Sequence, residues 1–600
     1  MRKNFLLLFL MALLPLAGWA QFSVGNYVPK GNFVYEITQA ADASTPGKVV
    51  LYGIRDGQNP VDADKALNLE GKITIAIVDG PSFDFVVDYA NADALRNTFN
   101  WTSYTVAPTK VGAFDGMVNA ESVVIPKEFL TIKENTFYGY TNMKSISFEA
   151  NSEVTTIESG SFNTTQISTF DFSNCSKLTT ISNGVFVEAS PAINSYVETI
   201  TLPANSEALT SIGTAFQRLP NLTAINNLDQ SLITTVEALA FDGDTSLEDL
   251  ALPGTVQTIA ATAFQGSGIE NLTIDVTSLN DATAGVAYGT STTVLRTLTL
   301  KGVLAGTFKS QAFKDNTKLK TITMTDMTIN GGTIGESAFE GCTNLEALTF
   351  NDITEGTIGN AAFKGCTKLA TVTFGKITGT TATDALIDDS AFELCSKLGV
   401  ITFGDLEHVT IDQNAFKSCA SGTLAASPAP ALTFGTLTDV DINASAFEGT
   451  TKLTAITFGA ADGLNIASKA FADCTSGATT ATLTFDTLKD VVITGTATGT
   501  GTGYGTGTAT GTDTDIVILD RTVDLANWNY FTLNASYFAN AKAGTVLTVK
   551  TAPSQAVRNA SYYNMRFCVN SNWQALTQGS VTGASKNGDT LIVSSPYATI

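Results

Sequence analysis

The sequence predicts a β-rich repeat solenoid, and three observations carry that reading. A phenylalanine recurs about every 24 residues over most of the chain. Apolar residues keep fixed distances from it. The composition, only 15% charged and with 50 glycines, favours strands and turns over long helices. Six hundred residues also exceed a single compact core, so a stacked array with flanking pieces is expected.

The anchoring phenylalanines run from Phe114 and Phe137 to Phe447 and Phe471. Counting from each, apolar residues stand at +6, +9 and +11, as Leu345, Leu348 and Phe350 after Phe339, or Leu398, Ile401 and Phe403 after Phe392. Another stands at −5, as in Ile132, Ile157, Ile334, Ile358, Ile411 and Ile466. The interval before Phe313 hides a further copy, where Leu295, Leu298 and Leu300 keep the pattern without the phenylalanine. The count is roughly fifteen coils. Residues +9 and +11 share one face of an extended strand while +10 faces the other way. Each coil therefore contributes one short strand and buries its apolar face only by stacking on its neighbours.

The pattern L-x-x-L-x-L within this period is the leucine-rich-repeat signature. With Ala-Phe-x-x-Cys ahead of the leucine, as in Ala391-Phe392-Glu393-Leu394-Cys395-Ser396-Lys397-Leu398, it resembles the BspA-type leucine-rich-repeat surface proteins of the Bacteroides group, over about 109–490. Phe172-Ser173-Asn174-Cys175-Ser176-Lys177-Leu178 carries the same likeness. The asparagine that follows the strand in many leucine-rich repeats is missing, which fits this subfamily. The resemblance implies a surface adhesin contacting host or neighbouring-cell macromolecules.

The flanks divide into four pieces. Residues 1–20 read as a signal peptide, with Arg2 and Lys3, an apolar run from Phe5 to Leu16, and Gly18-Trp19-Ala20 before a cleavage point at Gln21. Residues 21–108, with alternating runs at Lys48 to Tyr52 and Lys72 to Val78, are expected to form a β-rich N-terminal cap on the solenoid of 109–493. Residues 494–515 alternate Thr and Gly and read as a linker. Residues 516–600, with runs at Ile516 to Leu519, Thr545 to Lys550 and Thr590 to Ser594, read as a small C-terminal β domain. Around Tyr537 to Gly544 and Trp573 to Leu576 it is similar to sandwich modules of surface and glycan-handling proteins. No lipid-attachment cysteine stands at the cleavage point, and no later apolar run is long enough to span a bilayer. The expected product is an exported protein without a transmembrane segment in its mature chain, monomeric, and extracellular or on the outer cell surface.

The residue inventory disfavours chemistry. One histidine, His408, lies beside Glu407 in a repeat linker and cannot assemble a catalytic triad or a multi-histidine metal site. No enzyme activity, cofactor or metal is expected. A formal charge of −22 argues against nucleic acid. Cys342, Cys366, Cys395, Cys419 and Cys474 share position +3, with Cys175 in a variant copy. Disulfides between coils are geometrically conceivable there. Buried thiols packing as small hydrophobes are the simpler reading, because other coils place Thr, Asn or Asp at +3.

The outward +10 column is the candidate binding face. It carries Thr273, Thr299, Thr323, Thr349, Thr373, Thr402, Thr433, Thr457 and Thr484, after mixed earlier occupants such as Val124, Ser147 and Asp171. Three readings stand: a structural ladder of strand-favouring residues, a docking face for an extracellular protein or glycan, and an ice-binding array. In the tail, Trp528, Tyr530, Tyr562 and Trp573 are candidate sugar-stacking platforms, with core packing as the plainer alternative. The leading expectation is an adhesin working through the solenoid. The alternative is a glycan-binding accessory protein working through 516–600.

Overall fold

The structure is a computed structural model. It describes short stretches between 24 and 87, and residues 119–474 apart from 188–192, 205–208, 281–293, 424–428 and 468. Beyond these it describes a few backbone strands between 483 and 592. The chain forms two units, one of Met1–Asp275 with Thr290–Leu295, the other of Val276–Gly289 with Arg296–Ile600.

The first unit opens with a five-stranded sheet. Tyr27–Lys30, Phe33–Gln39 and Gly47–Ile54 pair antiparallel in order, Ser82–Val87 runs parallel to the third, and Lys72–Ala76 closes the edge. Tyr35, Ile37, Val49, Ile73 and Phe85 are its buried face. A separate strand, Ala66–Asn68, lies parallel to Ser122–Ile125 and buries Leu67.

Both units are built from parallel turns, with about thirteen in all and almost no helix. Thirteen is the number of anchoring phenylalanines among the described residues, Phe137 to Phe471. Phe114 lies outside them, and the copy without a phenylalanine contributes its strand, Thr297–Leu304. A typical turn supplies a front strand at about +8 to +11 and a short back strand ending at −5, though among the described residues none forms before Phe216. Thus Ala347–Phe350 pairs in register with Thr371–Phe374, and Thr333–Ile334 with Thr357–Ile358. The second unit adds a flank ladder between them: Ile353–Thr354, Ile377–Thr378, Leu406–Ile411, Leu437–Ile442 and Ala461–Ile466. His408 therefore sits on a strand rather than in the linker expected for it. Ladders also continue into the Thr/Gly stretch expected to be a linker: Val492–Thr496 pairs with Ala461–Ile466, and Thr508–Ala509 with Leu483–Phe485.

Parallel in-register pairing stacks like on like at about 4.8 Å. In the second unit the anchor rings stack face to face, Phe363 on Phe392 at 5.1 Å, Phe392 on Phe416 at 4.9 Å and Phe416 on Phe447 at 5.0 Å. The +11 rings form a second column, Phe374, Phe403, Phe434 and Phe458, at 4.7–4.8 Å. Edge-to-face contacts tie the columns, as Phe403 to Phe416 at 5.8 Å and 87°. In the first unit, most turns put an aliphatic residue at +11, and the anchor rings stand further apart, 5.7 Å for Phe137 to Phe162 and 6.4 Å for Phe186 to Phe216.

The chain reverses around most described anchors through left-handed backbone on both sides, as at Ser337 and Gly341 about Phe339 or Ser390 and Leu394 about Phe392. Position +2 is glycine in Gly341, Gly365 and Gly449, but Leu394 takes the same conformation with φ 64° and leaves its side chain 47% exposed. After the front strand, the column Gly375, Gly404, Gly435 and Gly459 stacks backbone on backbone. A Cβ on Gly435 would lie 2.7 Å from the Gly404 carbonyl. The asparagine found wanting in the sequence is present in two turns: Asn174 Nδ2 donates to Phe148 O, and Asn351 Nδ2 to Met324 O and Met327 O.

Two substitutions separate these effects. Leu394→Gly removes a left-handed penalty and an exposed apolar side chain, so chemical denaturation should show a gain of about 0.5–1 kcal/mol. Phe392→Ala should lose about 3–5 kcal/mol, because it opens both ring columns.

Candidate binding surface

The +3 row lies inside each turn and spends its polar atoms on backbone. Cys342 Sγ donates to Phe313 O at 3.2 Å, Cys366 to Phe339 O at 3.3 Å, Cys395 to Phe363 O at 3.2 Å and Cys419 to Phe392 O at 3.1 Å. Elsewhere Thr165, Ser267 and Thr450 donate to their own anchor's carbonyl. All six described cysteines are free, buried thiols, so the disulfide alternative is not the one formed. Burial pushes Cys342 and Cys175 up to about 12 and Cys474 to about 11. Cys366 and Cys419 also lie well above the ordinary thiol range, again through burial. Cys395, between those two, has burial opposing its thiolate and neighbouring thiols favouring it. With no cation beside it, burial decides and the row stays protonated.

Asp244 is the exception that shows what the row requires. It is fully buried at +3; Oδ1 accepts the Leu219 N–H at 2.9 Å, and Oδ2 has no partner. Burial holds its carboxyl well above the usual range, with Asp242 adding to the effect. Asp242 is itself paired with Arg218 at 3.7 Å.

The front +10 row behaves differently. Thr349, Thr373, Thr402, Thr433, Thr457 and Thr484 are consecutive register partners, and Thr299 pairs with Thr323. In the first unit Thr273 pairs with Ala251. The described threonine side chains are half-buried to exposed, and their hydroxyls make no hydrogen bond to a described residue. The side chain of Thr484 lies outside the described residues. Threonine also fills the outward −6 position of the back ladder, in Thr131, Thr156, Thr235, Thr258, Thr333 and Thr357. Part of the front column is therefore simple strand preference. Along +8, Ala347, Val400, Ala431 and Ala455 interrupt the threonines, which breaks the two-dimensional lattice an ice-binding face requires.

His408 is half-buried with Nδ1 3.6 Å from Asp439 Oδ2, and no group of metal-ligating residues occurs among the described residues. No described helix is long and apolar enough to cross a membrane. Trp528, Tyr530, Tyr562 and Trp573, and the signal-peptide residues 1–20, lie outside the described residues.

Stacked parallel turns with one front strand each, an aromatic return and no assembled catalytic group among the described residues define a leucine-rich-repeat solenoid. A family model described as the BspA type leucine-rich-repeat region matches residues 109–227, 193–283, 290–428 and 432–490. The chain belongs to that family. Among solved structures it is similar to a leucine-rich-repeat protein from Bacteroides ovatus, at 16% identity over 72% of this chain and 94% of that one, with a TM-score of 0.30. It is similar to a leucine-rich cell surface protein from Faecalibacterium prausnitzii, at 16% identity over 63% and 94% and a TM-score of 0.22. The pneumococcal vaccine antigen PcpA matches at 16% identity over 68% and 98%, with a TM-score of 0.24. No curated protein matches the chain.

Two measurements check this interior row. Thiol titration of the denatured, unreduced protein should find at least six free thiols, and titration of the native protein few that react promptly. Because the folded pKa of Asp244 is raised above an unfolded value of about 3.9, its stabilisation is complete below that pH and is lost as pH rises toward the folded value. Asp244→Asn, whose amide supplies a donor at any pH, should match the wild type near pH 4 in urea titrations and become progressively more stable than it above.

Proposed function

We propose that the chain is an exported, non-catalytic binding protein of the cell surface, an adhesin whose second unit contacts an extracellular protein through the threonine face. The single observation that carries this reading is the row of unspent hydroxyls from Thr349 to Thr457, uncharged and in register over five consecutive turns. Two other rows of this unit spend their polar groups internally: the +3 row bonds to backbone, and the +1 row pairs Lys314 with Glu340, Lys364 with Glu393 and Lys417 with Glu448. A face left chemically idle on rigid strands suits a partner that brings its own donors and acceptors. Membership in a repeat family with cell-surface relatives supports the location, and the N-terminal run from Arg2 to Ala20 supports export.

The test is the full mature chain against a panel of extracellular-matrix proteins and a glycan array. Thr373→Lys/Thr402→Glu/Thr433→Lys, whose signs alternate between adjacent turns, should leave the melting temperature within a few degrees and weaken the matrix-protein signal at least tenfold. An unchanged signal would remove the threonine face from the binding site. A signal confined to glycans and lost on deleting 516–600 would move recognition to the tail.

A further inference from the structure

A different row of the second unit points to a second ligand. At +4 and +5 the turns read Thr317-Lys318, Thr343-Asn344, Thr367-Lys368, Ser396-Lys397 and Thr451-Lys452, each followed by the buried leucine at +6. The residues lie one above another: Asn344 Nδ2 donates to Thr317 O at 2.5 Å, and Lys368 Nζ donates to Asn344 Oδ1 at 2.5 Å. All four lysines are exposed.

Their lack of acidic partners is what sets them apart. This fold has a standard way to neutralise a lysine, a glutamate at the same offset in the next turn. It does so for Lys314, Lys364 and Lys417 at +1 and for Lys320 with Glu346 at +7, while Lys376 reaches Glu407 two register positions further along the flank ladder. The +5 row contains no acid in six consecutive turns, which carry Lys318, Asn344, Lys368, Lys397, Ser421 and Lys452. Lys318, Lys397 and Lys452 make no ion pair or side-chain hydrogen bond among the described residues. Lys368 and Lys397 even occupy adjacent turns, a like-charge juxtaposition that the fold itself disfavours. The nearest carboxylates by offset are Glu346, already paired, and Asp315 and Asp473 at +2. The chain's acidity lies elsewhere in this unit, notably on the flank ladder at Glu407, Asp439, Asp441 and Asp462. Salt screens charges over about 8 Å under physiological conditions, so a local cationic row acts as such despite a net charge of −22.

We propose that this hydroxyl-and-lysine edge is a binding track for a linear polyanionic polysaccharide. One turn advances about 4.8 Å, so the four lysines span on the order of 24 Å. Each weak ammonium–anion contact adds to the last along a repeating chain. The threonine and serine hydroxyls at +4 supply donors between the charges. The track does not depend on what the +10 face binds.

The experiment measures full mature protein binding to immobilised dextran sulfate and to polygalacturonate, with neutral dextran and duplex DNA alongside. Wild type should bind at least one of the two polyanionic polysaccharides, more weakly as salt rises, and should not bind neutral dextran. Lys318→Gln/Lys368→Gln/Lys397→Gln/Lys452→Gln should weaken that binding at least tenfold at an unchanged melting temperature. The same four positions changed to Arg should restore it, and Lys376→Gln should leave it unaltered. Sulfate-only or carboxylate-only binding identifies the anion. Binding to neither polysaccharide, binding undiminished in the glutamine variant, or equal binding to DNA would overturn the proposal.

Discussion

The ladders of the repeat follow from one spacing. Parallel in-register strands set successive turns about 4.8 Å apart, close to the thickness two stacked aromatic rings require. A residue placed at a given offset therefore meets its own copy from the next turn. Phenylalanine profits from this at Phe363, Phe392, Phe416 and Phe447, where ring faces stack and almost no ring surface reaches water. Glycine at +12 is required by the same closeness, since backbone there rests on backbone. Charges are disfavoured unless signs alternate, which is what Lys314, Glu340, Lys364, Glu393, Lys417 and Glu448 do along +1. In such an array one substitution acts on two interfaces, and stability is close to a sum over neighbours.

Much of this was legible in the sequence because strand and anchor positions obey simple periods. Ile401 and Phe403 announce an inward face by alternation, and Phe392 by recurrence. The flank ladder was not legible. Its members Ile353, Ile377 and Leu406 are isolated apolar residues among Gly, Asp and Thr, with no alternation long enough to mark a strand. The left-handed positions were equally hidden, because Ser337, Ala361, Ser390, Asn414 and Lys469 share a backbone conformation without sharing chemistry. Asn351 escaped notice because a single side chain spans three carbonyls in one turn, where its neighbours use glycine.

Of the candidate site, sequence located the threonine column but not its weight. Seen alone, Thr349 to Thr457 suggests selection for a ligand. The same residue at Thr333 and Thr357 on the back ladder, with hydroxyls equally unspent among the described residues, shows how much is strand preference, and what distinguishes the front is its unbroken run, where the back row meets Leu386 after Thr357. The lysine edge was visible as letters yet carried no meaning until pairing was known. A lysine with a glutamate one turn away and a lysine without one look identical in a sequence. The interior row shows the same limit: an Asp at +3 does not announce in the sequence that Asp244 is a buried carboxyl accepting the Leu219 N–H.

The central claim is that identical turns stacked in register hold each unit together. Residue-resolved hydrogen exchange on the native protein tests it most directly. The slowest amides should recur once per turn in the front strands and again at the back-ladder positions from Ile132 to Ile466, with fast exchange at the left-handed corners between them. Protection arranged in blocks that ignore this period, or absent from the back ladder, would contradict the account.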